Sequence, residues 1–360
     1  MSRTFLRYVG RLYLAQLLLG LVAVVVVFLV ADFGDRLKAY LDRPLADVLL
    51  LYWNKGLLSV QLLGPAAMLL AAGAAISTLR QRGELVGLRA LGGSRAHLYL
   101  PVGVVALVAA LGLSAWDEWI AGPAGRRVDA IARQRFQVWG DFNFFYLPRQ
   151  WFRVGQNVFH VRHTAPDGLF EVSVFRLSKD FSLEERIDAG QMVASPSGGW
   201  LLRDGEVRTF LPGGGGTQVA FTELERSFKG VGPDTFRVML GKPEQMKFRD
   251  LLSQRDLRAK VGLQSSRYDL ALHNRFAYPL TGVAAALLAV ALAARPGRKG
   301  HLTAALVEGL AIVGVLWLMM VACRSAVLSE ALPAALAAWF PVATLAAVAL
   351  GVGRWSSRTV

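Results

Sequence analysis

Six stretches of this sequence run for 19–24 residues with almost no Asp, Glu, Lys or Arg: Leu12–Ala31, Gly56–Leu79, Ala96–Trp116, Phe276–Ala294, Gly300–Cys323 and Ala331–Gly353. Glu308 alone interrupts them. Crossing ~30 Å of hydrocarbon takes about 20 such residues in a helix. Backbone groups at that depth must pair within the segment, so each stretch is predicted to be a transmembrane helix. The composition agrees: 54% of residues are hydrophobic and 18% charged, where soluble domains carry about 25% charged residues. A disordered chain would show the opposite bias. The first stretch exceeds the ~7–15 apolar residues of a signal peptide, and no A-x-A site follows it, so it reads as a retained span.

The net charge of +14 is distributed unevenly. The N-terminus, the connections after spans two and four, and the C-terminus hold 12 basic residues against one acid, Glu84. The Asp32–Lys55 connection holds four of each sign, and Asp117–Arg275 holds 23 basic and 19 acidic residues. Basic residues in short loops on one side of the membrane mark the cytoplasmic face. Both termini are therefore expected in the cytoplasm, and the segment after span three outside it. Charge spread this way is no nucleic-acid-binding patch. The single cysteine, Cys323, excludes an internal disulfide framework and a CxxC metal site.

Residues 117–275 are too long for a loop. Arg126–Phe136 reads as a helix continuing from span three. Short alternating runs follow at Trp151–Val154, Val158–Arg162, Phe170–Leu177, Arg186–Val193, Trp200–Phe210 and Gln218–Phe221. Turn material such as Pro166-Asp167-Gly168 and Gly213–Gly216 bounds them. This pattern predicts a β-sandwich, a jelly roll or an open barrel. Glu244–Lys260 reads as a helix leading back to the membrane.

Signs of covalent chemistry are missing. No G-x-x-x-x-G-K-[ST] loop occurs, and Gly241-Lys242 is followed by Pro243, which lacks the N–H a phosphate cradle uses. There is no H-E-x-x-H and no G-x-S-x-G. His160 and His163 fall on a strand and its end, at positions expected to face opposite ways.

The loop after span two is more informative. Leu85, Leu88 and Leu91 recur at three-residue steps behind Arg82 and Glu84, and Gly92-Gly93 ends the run. That is a short amphipathic helix. It suits either the headgroup plane or a cytoplasmic partner. Arg36, Lys38 and Arg43 at the outer end of span one, and Arg126, Arg127, Arg133 and Arg135 beyond span three, could bind headgroup phosphate or simply snorkel to the interface. Glu308, inside span five, is an intramembrane acid, a residue type that marks candidate functional sites.

Taken together these residues resemble a known family. Span two and its loop read Gln61-Leu-Leu-Gly-Pro65, then Glu84-Leu-Val-Gly-Leu-Arg89-Ala-Leu-Gly92-Gly-Ser94. This is similar to the lipopolysaccharide export permeases of the LptF/LptG family. His273-Asn-Arg275-Phe-Ala-Tyr-Pro279, Arg295-Pro-Gly-Arg298 and Trp339-Phe-Pro341 resemble it too. Val30–Lys38 and Trp151-Phe-Arg-Val-Gly are most like the LptG member.

The resemblance implies an α-helical polytopic membrane protein with six transmembrane helices and a periplasmic all-β jelly roll inserted between helices three and four. Residues 1–135 would form the first membrane half, 136–243 the jelly roll, and 244–360 the connecting helix and second half. It implies a non-enzymatic permease subunit in the inner membrane of a Gram-negative bacterium, passing lipopolysaccharide from the membrane into its jelly roll. The expected partners are a cytoplasmic LptB-like ATPase dimer, a second LptF-like permease, a single-span LptC-like jelly-roll protein and an LptA-like periplasmic bridge. This chain would bind no cofactor, ATP and Mg being used by the ATPase. Residues about 80–95 would form the coupling helix, with Glu84, Arg82, Leu85, Leu88 and Arg89 engaging the ATPase. Spans one and five would line the substrate cavity. Arg36, Lys38 and Arg133 would contact substrate phosphates. The sequence departs from the family pattern at Val30-Ala31-Asp32, where several members carry a further cation. Permeases of other lipid or lipoprotein exporters, and a non-transporting scaffold, are the competing readings. The lipoprotein-releasing type places its large domain after the first span rather than the third.

Overall fold

The computed structural model describes residues 3–41, 43–92, 94, 96–136, 150–165, 168–178, 180–195, 199–211, 215–228, 242–260, 264–295 and 302–358. The chain divides into two compact units: Met1–Gly140 with Pro243–Phe248 and Ser266–Val360, and Asp141–Lys242 with Arg249–Ser265.

The first unit is helical. Its elements are α1 (Arg3–Asp35), α2 (Leu37–Tyr40), α3 (Leu45–Gln81), α4 (Glu84–Ala90), α5 (Ala96–Trp116), α6 (Gly122–Phe136), α8 (Ser266–Ala293), α9 (Leu302–Leu328) and α10 (Ala334–Arg358); α7 (Phe248–Lys260) leaves it at Phe248. A π-helical turn, Asp117–Ala121, joins α5 to α6 in one continuous rod. Six of these helices are long and apolar enough to cross a membrane, and they coincide with the six uncharged stretches.

The centre of this unit is the pair α3 and α8. Two thirds of each spanning window (67%) is buried, against 6% for α1 and 17% for α9. Small side chains allow the close approach: Ala67, Ala71, Ala72 and Ala75 share a core with Ala284, Ala285, Ala286 and Ala289. At Gly282 a Cβ would lie 2.5 Å from Met68 Sδ and 2.9 Å from Pro65 Cα. Glycine is therefore required opposite Pro65.

α3 begins at Leu45, well before the uncharged stretch that opens at Gly56. Asn54 and Lys55 lie buried inside it. The expected helix over Glu244–Lys260 also differs: Pro243–Gln245 forms a 3-10 turn, and α7 starts only at Phe248. There the Met246 carbonyl accepts from Arg275 rather than from a following helical N–H.

The second unit holds strands β1 (Gln150–Val154), β2 (Asn157–Ala165), β3 (Gly168–Leu177), β4 (Leu183–Ala194), β5 (Trp200–Phe210) and β6 (Gly216–Arg226). They form one six-stranded antiparallel sheet in sequential order, at the places the alternating runs predicted. One face carries the core in cross-strand rows. Phe159, Val174, Ile187 and Val207 are paired in turn, as are Val161, Val172, Ala189 and Gly205. The next buried row is Leu169, Met192 and Leu202, three residues further along each strand instead of two. The change of step falls at Glu171 (φ 51°), Gly190 and Asp204 (φ 52°), where the ladder pairing lapses on adjacent strands while the register is unchanged. The lapse continues to Arg162 on β2 and Thr222 on β6, so one unpaired level crosses five adjacent strands.

Candidate functional site

The start of α1 and the end of α8 meet the α3–α4 junction at one end of the helical unit. Gly83 (φ +74°) makes the junction. Its N–H bonds to the Arg80 carbonyl, and its own carbonyl accepts from Val86 and Gly87 to start α4. Only glycine takes this left-handed link without strain, which is why α3 turns into α4 with no intervening loop.

The structure orients α4 clearly. Leu85 and Leu88 are buried in the main helical core. They hold α4 to the unit from inside, while Val86 (69% exposed) and Leu91 (82% exposed) face outward. Glu84 is half-buried and accepts the Tyr8 hydroxyl at 2.9 Å. Arg82 Nη1 donates to the same hydroxyl, also at 2.9 Å. Nearby, Arg80 Nη2 donates to the Arg295 carbonyl at 2.8 Å, tying α3 to the end of α8. The Arg89 side chain lies outside the described residues.

At the opposite end of α1 a second polar cluster appears. Asp32 Oδ2 accepts from Lys55 Nζ at 2.5 Å and from the Tyr52 hydroxyl at 2.8 Å. Arg36 Nε sits 3.6 Å from the other carboxylate oxygen, one helical turn on. Lys55 also lies 4.8 Å over the Tyr52 ring. Phe33, Tyr40 and Tyr52 contact one another with ring centroids 5.4–5.9 Å apart. The ammonium and the carboxylate are thus paired inside an aromatic box, where an unpaired charge would be costly. Sequence reading missed Lys55 because it marks the edge of an uncharged stretch. The available signal was that Asp32 and Lys55 bound neighbouring antiparallel spans and so lie level. Lys38, on α2, is exposed. The Arg133 side chain lies outside the described residues.

A third cluster centres on Arg275, whose side chain is 7% exposed. It pairs with Glu118, lies 3.6 Å from Asp117, and donates to the Met246 carbonyl. Glu118 in turn accepts the Phe248 N–H at 3.0 Å, capping α7 from a distant part of the chain. Gln245 bonds Asp129 at 2.8 Å and accepts from Arg126. Glu244 takes Arg324 at 2.8 Å. The Pro243–Phe248 segment is therefore clamped by α6, α8, α9 and the π-helical turn.

Between the two ends, α1 and α9 present unburied apolar walls: Leu18, Leu19, Val22, Val26, Val27 and Val30 on α1, and Val307, Val315 and Leu318 on α9. Half-buried Glu308 lines a small crevice with Leu69, Gly73, Ala305 and Gly309. In the second unit, an open depression of about 540 Å³ follows the level of lapsed pairing past His160, Arg162, Glu171, Ser173, Asp188 and Glu206. Its acids are occupied: Glu171 by Arg162, Asp188 by Ser173 and Arg186, and Glu206 by Arg208. No group of three or more His, Cys, Asp or Glu among the described residues could hold a metal ion.

No curated protein sequence matches this chain. A family profile described as "Lipopolysaccharide export system permease LptF/LptG" matches residues 7–354.

Proposed function

The chain belongs to the LptF/LptG family of lipopolysaccharide export permeases, and from that premise we propose that it forms one half of an ATP-driven exporter. Family and six apolar helices together make it a multi-pass inner-membrane transport subunit rather than a catalytic enzyme. In our reading it is the LptG-like half, paired with an LptF-like permease. An LptB-like ATPase dimer using ATP and Mg drives the pair from the cytoplasm. The termini and α4 lie on that side, and the β unit lies in the periplasm. There it hands substrate to LptC-like and LptA-like proteins.

The observation that carries this reading is the unequal burial of the helices. α3 and α8 are packed on most sides, whereas α1 and α9 are almost bare (6% and 17% buried) along their apolar lengths. Bare walls on spans one and five suit a cavity shared with a second permease, where acyl chains meet mostly apolar side chains. Lipid A phosphates would sit at its outer rim. Asp32 pairs with Lys55 and lies 3.6 Å from Arg36, so exposed Lys38, with Arg36 beside it, would meet them. Arg133 is a further candidate on α6.

The mechanism follows from the orientation of α4. Leu85 and Leu88 anchor it inward, so its docking surface is the outward face, with Val86, Leu91 and Arg82, beside Arg89 and the rim of Glu84. Closure of the ATPase dimer moves α4, the cavity narrows, and lipid is driven toward the β unit. The test is affinity purification of the tagged chain from its native membrane in mild detergent, with mass spectrometry of what accompanies it. Recovery of an ABC-type ATPase, a second six-span permease and lipopolysaccharide is the expected result. Recovery of the chain alone, from membranes rich in such an ATPase, would refute the exporter reading in favour of a scaffold.

A further inference from the structure

Tyr8 lies about two turns into α1, and Glu84 opens α4 76 residues later. Their contact is tertiary, made only because the start of α1 runs beside the α3–α4 junction. The phenol bridges two side chains, giving its proton to Glu84 and accepting one from Arg82, both at 2.9 Å. The rest of the grip on α4 is apolar, through Leu85 and Leu88 in a core that Phe5, Tyr8 and Leu12 pack against. Apolar contact is non-directional and tolerates sliding. A charge-assisted hydrogen bond fixes position and direction.

We infer that Tyr8 is a positioning residue that transmits displacement of α4 to α1. The inference rests on the reading of α4 as the ATPase-docking helix. It adds that the Glu84 carboxylate is already engaged inside its own chain, so the acid at the head of the docking helix is also the handle of span one. The helix so moved is the least buried of the six, whose apolar wall faces the proposed cavity. A change at the docking surface thus has a directional link to the cavity wall through one hydroxyl, beside the apolar core that α1 and α4 share.

The test uses the complete complex of both permeases and the ATPase, in phospholipid liposomes containing lipopolysaccharide. Lipopolysaccharide delivered to a purified jelly-roll acceptor is measured per ATP hydrolysed. Tyr8→Phe keeps the ring and removes the bridge. The ATPase is expected at wild-type stoichiometry with hydrolysis within about twofold, while lipopolysaccharide moved per ATP falls about three- to tenfold, the weight of one hydrogen bond. In a Glu84→Leu background, which has no acceptor, Tyr8→Phe is expected to cause no further loss per ATP. An unchanged ratio in Tyr8→Phe, or independent losses in the double variant, overturns the inference. Leu91→Asp on the outward face separates the two ideas. If it leaves the ATPase bound at wild-type stoichiometry, the docking reading itself falls, whatever Tyr8→Phe does.

Discussion

Replacing Arg275 by alanine strips the buried counter-charge from two carboxylates and the donor from one carbonyl. Glu118 and Asp117 retain 25% and 14% side-chain exposure, so neither reaches water freely. Breaking a buried ion pair from one side costs about 3–5 kcal/mol. The partial hydration of Glu118 and its bond to the Phe248 N–H place this case near the lower figure, about 3 kcal/mol. The orphaned Met246 carbonyl adds about 1 kcal/mol. For a unit of this size each kcal/mol moves the midpoint by about 2–4 °C, so Tm should fall by about 8–16 °C. Intrinsic tryptophan fluorescence of the detergent-purified protein, with size-exclusion recovery after heating, reads that shift. The combination Arg275→Met, Asp117→Asn and Glu118→Gln removes every charge together and should regain more than half of the loss, because a neutral replacement of the whole set is close to isoenergetic. A single variant melting within about 2 °C of wild type would refute the argument. So would a triple variant no better than Arg275→Ala.

Two further substitutions probe the same physics elsewhere. Lys55→Met leaves Asp32, 12% exposed, with only Tyr52 and Arg36 to satisfy it; it should lower Tm by an amount that adding Asp32→Asn largely restores, and equal losses in both variants would count against the pair. Gly282→Ala puts a methyl 2.9 Å from Pro65 Cα; prying α3 from α8 should cost about 1–3 kcal/mol, and a neutral effect on thermal recovery would show that the two helices are not held in contact there.

The six spans were legible because a missing charge over 19 or more residues admits few alternatives. Their ends were not. Lys55 closes an uncharged stretch in sequence yet lies within α3, since Asp32 meets it from the neighbouring helix; a one-dimensional reading sees the charge but not the partner. The strands were found for a similar reason, because alternation survives on either side of each slip. The slip at Glu171, Gly190 and Asp204 is a property of adjacent strands together and leaves no mark in any one of them. In the candidate site, periodicity put Leu85 and Leu88 on one face of α4. Period alone cannot say whether such a face points to a partner or to its own core, and here it points inward. Tyr8 was beyond sequence reasoning altogether: a tyrosine among Arg3, Arg7 and Arg11 reads as an interfacial residue until Glu84 is found beside it.

The restraints on α1 differ along its length. Val9, Gly10, Tyr13 and Leu17 are buried, so the first half is packed. From Leu18 to Val30 most large side chains are bare. At the far end Asp32 is fastened again to Lys55 and Tyr52. Polar ties at Tyr8, at Tyr13, whose hydroxyl donates to the Met68 carbonyl, and at Asp32 are directional and hold α1 against α3 and α4; the stretch from Leu18 to Val30 carries only hydrocarbon side chains, which can make no such tie. In a lipid solvent apolar contact supplies little net attraction between helices, so polar ties and close packing decide which parts of a bundle stay together. A rod pinned in this way can shift as a unit when α4 moves, and its unpacked half can change what it faces at small cost. Asp32 serves as the pin at the far end, its charge met by Lys55 and Arg36.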